Sequence, residues 1–273
     1  MIDPEEQRRE CLAQWDAASG GWDTAQVWLR EYAAPVSRWL VDSLDLEPGQ
    51  RVLELAAGPG ETGFLAAELV APDGGLISSD QSDAMVNVAR ARAAELALRN
   101  VEFRVINAES IALPVASVDA VLCRWGYMLM VDPLAAFVET RRVLKAGGRV
   151  ALAVWAEPDA NPWLVIPNCV LVEHGLMEPT GGDGPGAFAL SDPGRLRTLL
   201  EDAGFTDIAI ETVDLAWEEP DFDNWWERHL SMSPSGAVVR AAAPGVLREV
   251  AAEVAERLGA NRRASSLVAV ASA

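Results

Sequence analysis

Apolar positions along this chain follow two alternating rhythms. Between residues 51 and 155, short runs dense in Val, Leu and Ile are followed by stretches in which apolar side chains return at helical spacing. Runs of the first kind read as strands covered on both faces, and the second kind as amphipathic helices. Strands are expected at Arg51 to Leu55, Leu76 to Ser79, Val101 to Ile106, Val118 to Cys123 and Val150 to Trp155. One helix is expected from Phe64 to Val70. A second is capped by Ser82, has Asp83 in its first turn, and shows Met85, Val88, Ala89, Ala93 and Leu96 on one face. Asn100 is placed to close it. A third is opened by Asp132-Pro133, presents Leu134, Phe137, Val138 and Leu144, and is stopped by Gly147-Gly148. Strand and helix in alternation predict an α/β fold with a parallel sheet, helices on both faces, and ligands beyond the carboxyl ends of the strands.

On either side the rhythm changes. Residues 1–46 read as a helical N-terminal lid, rich in Trp15, Trp22, Trp28, Tyr32 and Trp39 and interrupted at Gly20-Gly21. Residues 47–155 form the α/β core, entered through the Pro48-Gly49 turn. From 156 to 190 the chain is Pro- and Gly-rich, including Gly181-Gly182-Asp183, around one apolar helical patch from Trp163 to Leu176. That is too long for a simple connection and reads as an inserted substrate lid. Residues 191–273 return to the core with a helix from Asp192 to Ala203, a strand from Asp207 to Trp217, and a helical insertion over 221–260 broken near Pro234 and Pro244. A last run, Leu267 to Ala271, is expected to pair antiparallel with the strand from Asp207.

Composition narrows the function. The 273 residues are 50% hydrophobic, enough for one large domain with a real core. Basic residues number 22 and acidic ones 41, a net charge of −19, which repels nucleic acid and anionic membranes. With two histidines and three scattered cysteines, Cys11, Cys123 and Cys169, neither a metal site nor a disulfide framework is expected, and the thiols are expected to be buried and inert. No apolar run has the length of a membrane span, and the acidic first residues do not resemble a secretory signal, so a cytoplasmic location is expected.

The stretch on which the rest is organised is Val52-Leu53-Glu54-Leu55-Ala56-Ala57-Gly58-Pro59-Gly60-Glu61-Thr62-Gly63, a strand running through a tight loop into a helix. Its Gly58-x-Gly60-x-x-Gly63 spacing also satisfies a dinucleotide fingerprint. Charge separates the readings. A pyrophosphate wants amide donors and no nearby anion, yet Glu54 sits inside the strand just before the small-residue run, where its carboxylate is expected near the ligand, and Pro59 removes a donor. A ligand carrying positive charge suits the loop better. Of ten tryptophans none lies between Arg51 and Arg124; most pack down the appendages, with Trp22, Trp125 and Trp163 the expected members of an aromatic pocket.

Taken together, the strand ends resemble those of a class I S-adenosylmethionine-dependent methyltransferase, in the style of the ubiquinone and menaquinone biosynthesis enzymes and their small-molecule relatives. The glycine loop is similar to the family's first motif, with Ala56 in place of its first glycine, and the resemblance implies that Glu54, Ala56, Gly58 and Gly60 hold the cofactor. Ile77-Ser78-Ser79-Asp80-Gln81-Ser82-Asp83-Ala84-Met85 resembles the second motif, which implies Asp80 at the ribose, Gln81 beside it at the cofactor and Met85 near the adenine. Asn107-Ala108-Glu109 matches the stretch where the family usually has Asp-Ala-Glu and reads the adenine. Cys123-Arg124-Trp125-Gly126-Tyr127-Met128 resembles the segment beside the methionine part, which implies Arg124 at the cofactor and Trp125 and Met128, with Trp163, at the acceptor.

The resemblance implies a Rossmann-like sheet with an antiparallel last strand, S-adenosylmethionine as cofactor, and methyl transfer to an oxygen or carbon of a small aromatic or quinol-like metabolite. A base is needed only for an acceptor protonated at neutral pH, and His174, Glu173 and Tyr127 are the candidates. Two alternatives stay open: a catalytically silent S-adenosylmethionine-binding protein, and a nicotinamide-dependent oxidoreductase.

Overall fold

Val52 and Leu53 are fully buried because their strand lies in the middle of a sheet covered by helices. A computed structural model describes residues 3–178, 184–217, 221–233, 236–259 and 263–273. The strands are β1 (Arg51–Glu54), β2 (Gly75–Asp80), β3 (Val101–Val105), β4 (Val118–Arg124), β5 (Leu144–Trp155), β6 (Thr206–Ala216) and β7 (Arg263–Ser272). They form one seven-stranded sheet in the order β3-β2-β1-β4-β5-β7-β6. Strands β1 to β5 pair in parallel, and β7 runs antiparallel to both β5 and β6. This is the Rossmann-like arrangement expected from the sequence, and β7 does more than pair with β6, since it also joins that strand to β5. Strand order reverses between β1 and β4, which opens a crevice at their carboxyl ends. Glu54 and Arg124 end those two strands.

The helices are α1 (Pro4–Thr24), α2 (Gln26–Ser43), α3 (Glu61–Val70), α4 (Asp83–Glu95), α5 (Pro133–Val143), α6 (Pro162–Glu173), α7 (Pro193–Asp202), α8 (Phe222–Met232), α9 (Gly236–Arg240) and α10 (Pro244–Leu258). Helix α2 lies against α3 and the β4 to β7 side of the sheet, burying Leu29, Tyr32, Ala33, Val36 and Leu40 at helical spacing. Ser82 caps α4 by accepting from the Met85 amide, and Asp132 caps α5 from Ala135. Beside the main core, Val170 and Leu171 of α6, Trp225 and Leu230 of α8, and Val250 and Val254 of α10 form a separate apolar cluster. Segments far apart in sequence thus share one packing unit.

Four local expectations are corrected. Gly20-Gly21 does not interrupt the first helix: α1 runs through both and ends at Thr24. The glycine serves packing instead, because a Cβ at Gly21 would stand 1.9 Å from the Ser231 carbonyl oxygen of α8. Helix α4 ends before Asn100, at a left-handed Ala97 with Leu96 exposed, while the Asn100 amide donates to the Ala67 and Gly74 carbonyls. Helix α5 stops at Val143, and Gly147-Gly148 fall inside β5, where a Cβ on Gly148 would meet the Asp119 carbonyl at 2.7 Å. Of the thiols only Cys123 is buried, pushed up to about 12 by that burial, whereas Cys169 is exposed. The Gly181-Gly182-Asp183 stretch and Pro234 lie outside the described residues.

Candidate functional site

At the end of β1 the chain turns through three left-handed residues, Ala56 (φ 49°), Gly58 (φ 52°) and Gly60 (φ 86°), before α3 begins. Glu54 is folded back under this loop. Its Oε1 accepts the Gly63 amide at 2.8 Å and its Oε2 the Ser78 hydroxyl at 3.3 Å. Burial pushes this carboxyl up to about 7, against the pull of the Gly63 amide and Arg124. Across the crevice, burial lowers the Arg124 guanidinium and Glu54 raises it. Arg124 also donates to Ser37 at 3.3 Å and stacks over the Trp125 ring at 4.8 Å.

Asp80, at the end of β2, accepts the Gly58 amide on Oδ2 and the Ser82 amide on Oδ1, both at 3.0 Å, and burial raises it. Helix α1 is tied to the same loop: Ser82 donates to Asp16 at 2.5 Å and the Gln81 amide to Cys11 Sγ at 3.8 Å. The roof carries Trp15 and Trp22, edge to face at 5.9 Å, with the Trp22 indole donating to the Met232 carbonyl at 3.0 Å. These rings roof a partly open cleft between the ends of β1, β2 and β4, lined by Glu54, Asp80 and Arg124.

The expected site residues fall into two groups. Trp22, Glu54, Ala56 and Gly58 line the cleft, as do Asp80, Gln81 and Met85, and Ala108, Arg124 and Trp125. Others are placed elsewhere. Gly60 shapes the loop over the Phe64 ring, which a Cβ would meet at 2.5 Å. Asn107 is exposed and accepts the Glu109 amide, while Glu109 accepts from Arg8 at 2.6 Å and from the Val131 amide at 2.9 Å, fastening α1 to the core. Met128 is buried beside the cleft without lining it.

Neither expected catalytic residue reaches the cleft. The Tyr127 hydroxyl is enclosed against Thr140 Oγ1 at 2.6 Å with its ring stacked on Phe137, and burial raises it well above the usual tyrosine range. His174 ends α6 and meets Glu253 of α10 at 2.8 Å, next to Glu173, which is held by Arg257. Trp163 packs on Trp155 at 5.3 Å inside an aromatic cluster. Sequence reasoning missed Trp15, Ile106, Leu129 and Met130 as cleft residues. Trp15 lies seven positions before Trp22, on the same helix face, which was a usable signal. Leu129 ends, and Met130 follows, a short helical turn that nothing in the pattern marks.

The donor set decides what fits. The amides of Ala57, Gly58 and Gly60 are already used by the Ser79 carbonyl, Asp80 and the Ala57 carbonyl, and Pro59 has none. Those three loop amides are therefore not free for a pyrophosphate. Two acids, Glu54 and Asp80, face the cleft with one cation, Arg124. That combination suits a ligand with a diol and cationic groups, as in S-adenosylmethionine.

Among the described residues no helix is long and apolar enough to cross a membrane, and no His, Cys, Asp or Glu cluster could hold a metal. Residues 46–175 match the family described as "Methyltransferase domain". The chain is 30% identical over 215 residues to nocamycin O-methyltransferase of Saccharothrix syringae, covering 76% of each chain. It is 31% identical to the ubiquinone/menaquinone biosynthesis C-methyltransferase of Coxiella burnetii, covering 46% of this chain and 53%, about half, of that one. The crystal structure of a SAM dependent methyltransferase from Aquifex aeolicus superposes with a TM-score of 0.51 at 20% identity, over 79% of this chain and 94% of that one. The reversed strand order, the acids facing the crevice and a relative aligned along three quarters of both sequences agree: the chain belongs to the class I S-adenosylmethionine-dependent methyltransferases.

Proposed function

We propose that the chain methylates an oxygen or carbon atom of a small aromatic or quinol-like metabolite, with residues 1–46 and 156–190 acting as lids over a core spanning 47–155 and 191–273, the latter carrying a helical insertion at 221–260. The observation that carries the acceptor class is the wall beyond Arg124. Trp125 lines the cleft, stacks on Trp155 at 4.2 Å, and continues through Trp155 to Trp163 at 5.3 Å. A ring-lined wall of this kind selects flat apolar molecules. The names of the nocamycin and ubiquinone relatives point to small-molecule acceptors as well.

When bound, S-adenosylmethionine supplies a methyl group on a sulfonium with its leaving group built in. In this reading Asp80 and Gln81 hold the ribose, Met85 and Ala108 border the adenine, and Glu54 and Arg124 set the charge around the methionine end. Their task is orientation and exclusion of water. The excess of acidic side chains supports a small-molecule partner over nucleic acid, and the reading keeps the chain in the cytoplasm.

Isothermal titration with S-adenosylmethionine, S-adenosylhomocysteine and NADH, repeated on Asp80→Ala, tests the cofactor site. Binding of both sulfur ligands, lost in the variant, supports it. Binding of NADH alone overturns it. A panel of phenols, quinols and aliphatic alcohols, read by mass spectrometry for added methyl groups, then tests the acceptor class, and methylation confined to aliphatic members would reject it.

A further inference from the structure

Three of the buried polar atoms that lack a hydrogen-bond partner sit on rings of one cluster: Tyr32 Oη, Trp163 Nε1 and Trp217 Nε1. Buried polar groups are almost always paired, so three orphans on adjoining rings call for a physical reason. The rings touch mutually edge to face, with centroids 4.9 Å apart for Tyr32 and Trp217, 6.2 Å for Tyr32 and Trp163, and 6.0 Å for Trp163 and Trp217. Two of the three are indole N–H groups, which only donate. What the cluster lacks is an acceptor.

The cluster also adjoins the cleft. Tyr32 lies 6.2 Å from the Trp125 ring that lines it, and Tyr32 feels the charge of Arg124, which lines it too. Burial raises the Tyr32 phenol well above its usual range, so it remains a donor at all physiological pH values. His229, 6.1 Å from Trp163 and stacked on both Trp225 and Trp226, is pushed down to about 4 by burial and adds no charge. Trp155 ends β5 and Trp125 follows the end of β4, while Trp163 is carried by α6 and Trp217 follows the end of β6. A flat molecule entering between these two sets would replace ring-to-ring contacts with its own faces.

Resting on the methyltransferase reading above, we infer that Tyr32, Trp163 and Trp217 form an oxyanion-recognising acceptor subsite, taking a flat conjugated phenol or enol in its ionised form beside Arg124. Three neutral donors and one guanidinium in a water-poor aromatic setting favour an anionic oxygen over a neutral hydroxyl. This accounts for a cleft whose lining holds no histidine: an acceptor already ionised needs no base to take its proton.

The probe is 4-nitrophenol, whose ionised form absorbs visible light, added to protein saturated with S-adenosylhomocysteine. The bound probe is expected to be ionised at a pH where the free one is largely protonated. Tyr32→Phe and Trp163→Phe should each weaken it by about 10-fold, with S-adenosylhomocysteine affinity and circular dichroism unchanged. The uncharged 4-nitroanisole should bind all three proteins alike. Binding of the phenolate equally by the wild type and both variants, preference for the neutral phenol, or no phenol binding by the wild type would each overturn the subsite. Failure to bind S-adenosylhomocysteine is a separate outcome that removes the cofactor reading itself, and this inference with it.

Discussion

The Glu54 carboxylate occupies the space that a side chain on Gly63 would fill: a Cβ there would stand 2.2 Å from Oε2, while the Gly63 amide donates to Oε1 at 2.8 Å. The absent side chain lets the first turn of α3 seat a buried acid at the end of β1.

That acid gives the ligand-free protein a pH-dependent stability. Burial raises Glu54 from 4.5 to about 7, so between these values the folded chain holds a proton that the unfolded chain has released. The contribution is complete below pH 4.5 and is lost as pH rises to about 7. Glu54→Gln should therefore flatten the decline of melting temperature over this range and stabilise the ligand-free protein above neutrality. Thermal melts across pH would show it, and an unchanged slope would move its source elsewhere.

Gly21→Ala should loosen the roof. The new methyl would press on the Ser231 carbonyl, and overpacking of this kind costs about 1–3 kcal/mol. Amide exchange should accelerate in α1 and α8, which this contact joins, while β1 and β4 stay protected. Uniform acceleration through the sheet would contradict a local role.

Arg8→Ala should release α1 without unfolding the core. Arg8 keeps 28% of its side-chain exposure but Glu109 only 8%, so removing the cation leaves a largely buried carboxylate with the Val131 amide as its remaining partner. Such truncations destabilise by about 1–3 kcal/mol. Cofactor dissociation, followed by stopped-flow tryptophan fluorescence, should speed up severalfold. An unchanged rate would separate the Arg8 contact from the roof's closure.

His174→Ala should leave turnover and its pH profile unchanged. The imidazole is engaged with Glu253 on the α6–α10 face, away from the residues that line the cleft. A large loss of turnover in the variant would return His174 to the chemistry.

What the sequence made legible was set locally. The strand runs, the Ser82 and Asp132 caps and the glycine loop each depend on a few neighbouring residues, and Glu54, Asp80 and Arg124 reach the cleft because strand ends converge by topology. What stayed hidden depends on distant partners. His174 turns from the cleft because α6 packs on α10, some eighty residues later, and Gly21 answers to Ser231, not to its own helix. Glu109 looked like a ligand-reading acid and is an anchor for Arg8, a distinction only tertiary contact makes.

The shared cluster of α6, α8 and α10 bears on inheritance. Two insertions separated by a strand of the sheet pack against each other, so a change in the shape of one exerts selection on the other. Relatives with new acceptors would then arise by paired replacement of both segments, and a graft of either alone would bring half an interior into a foreign surface.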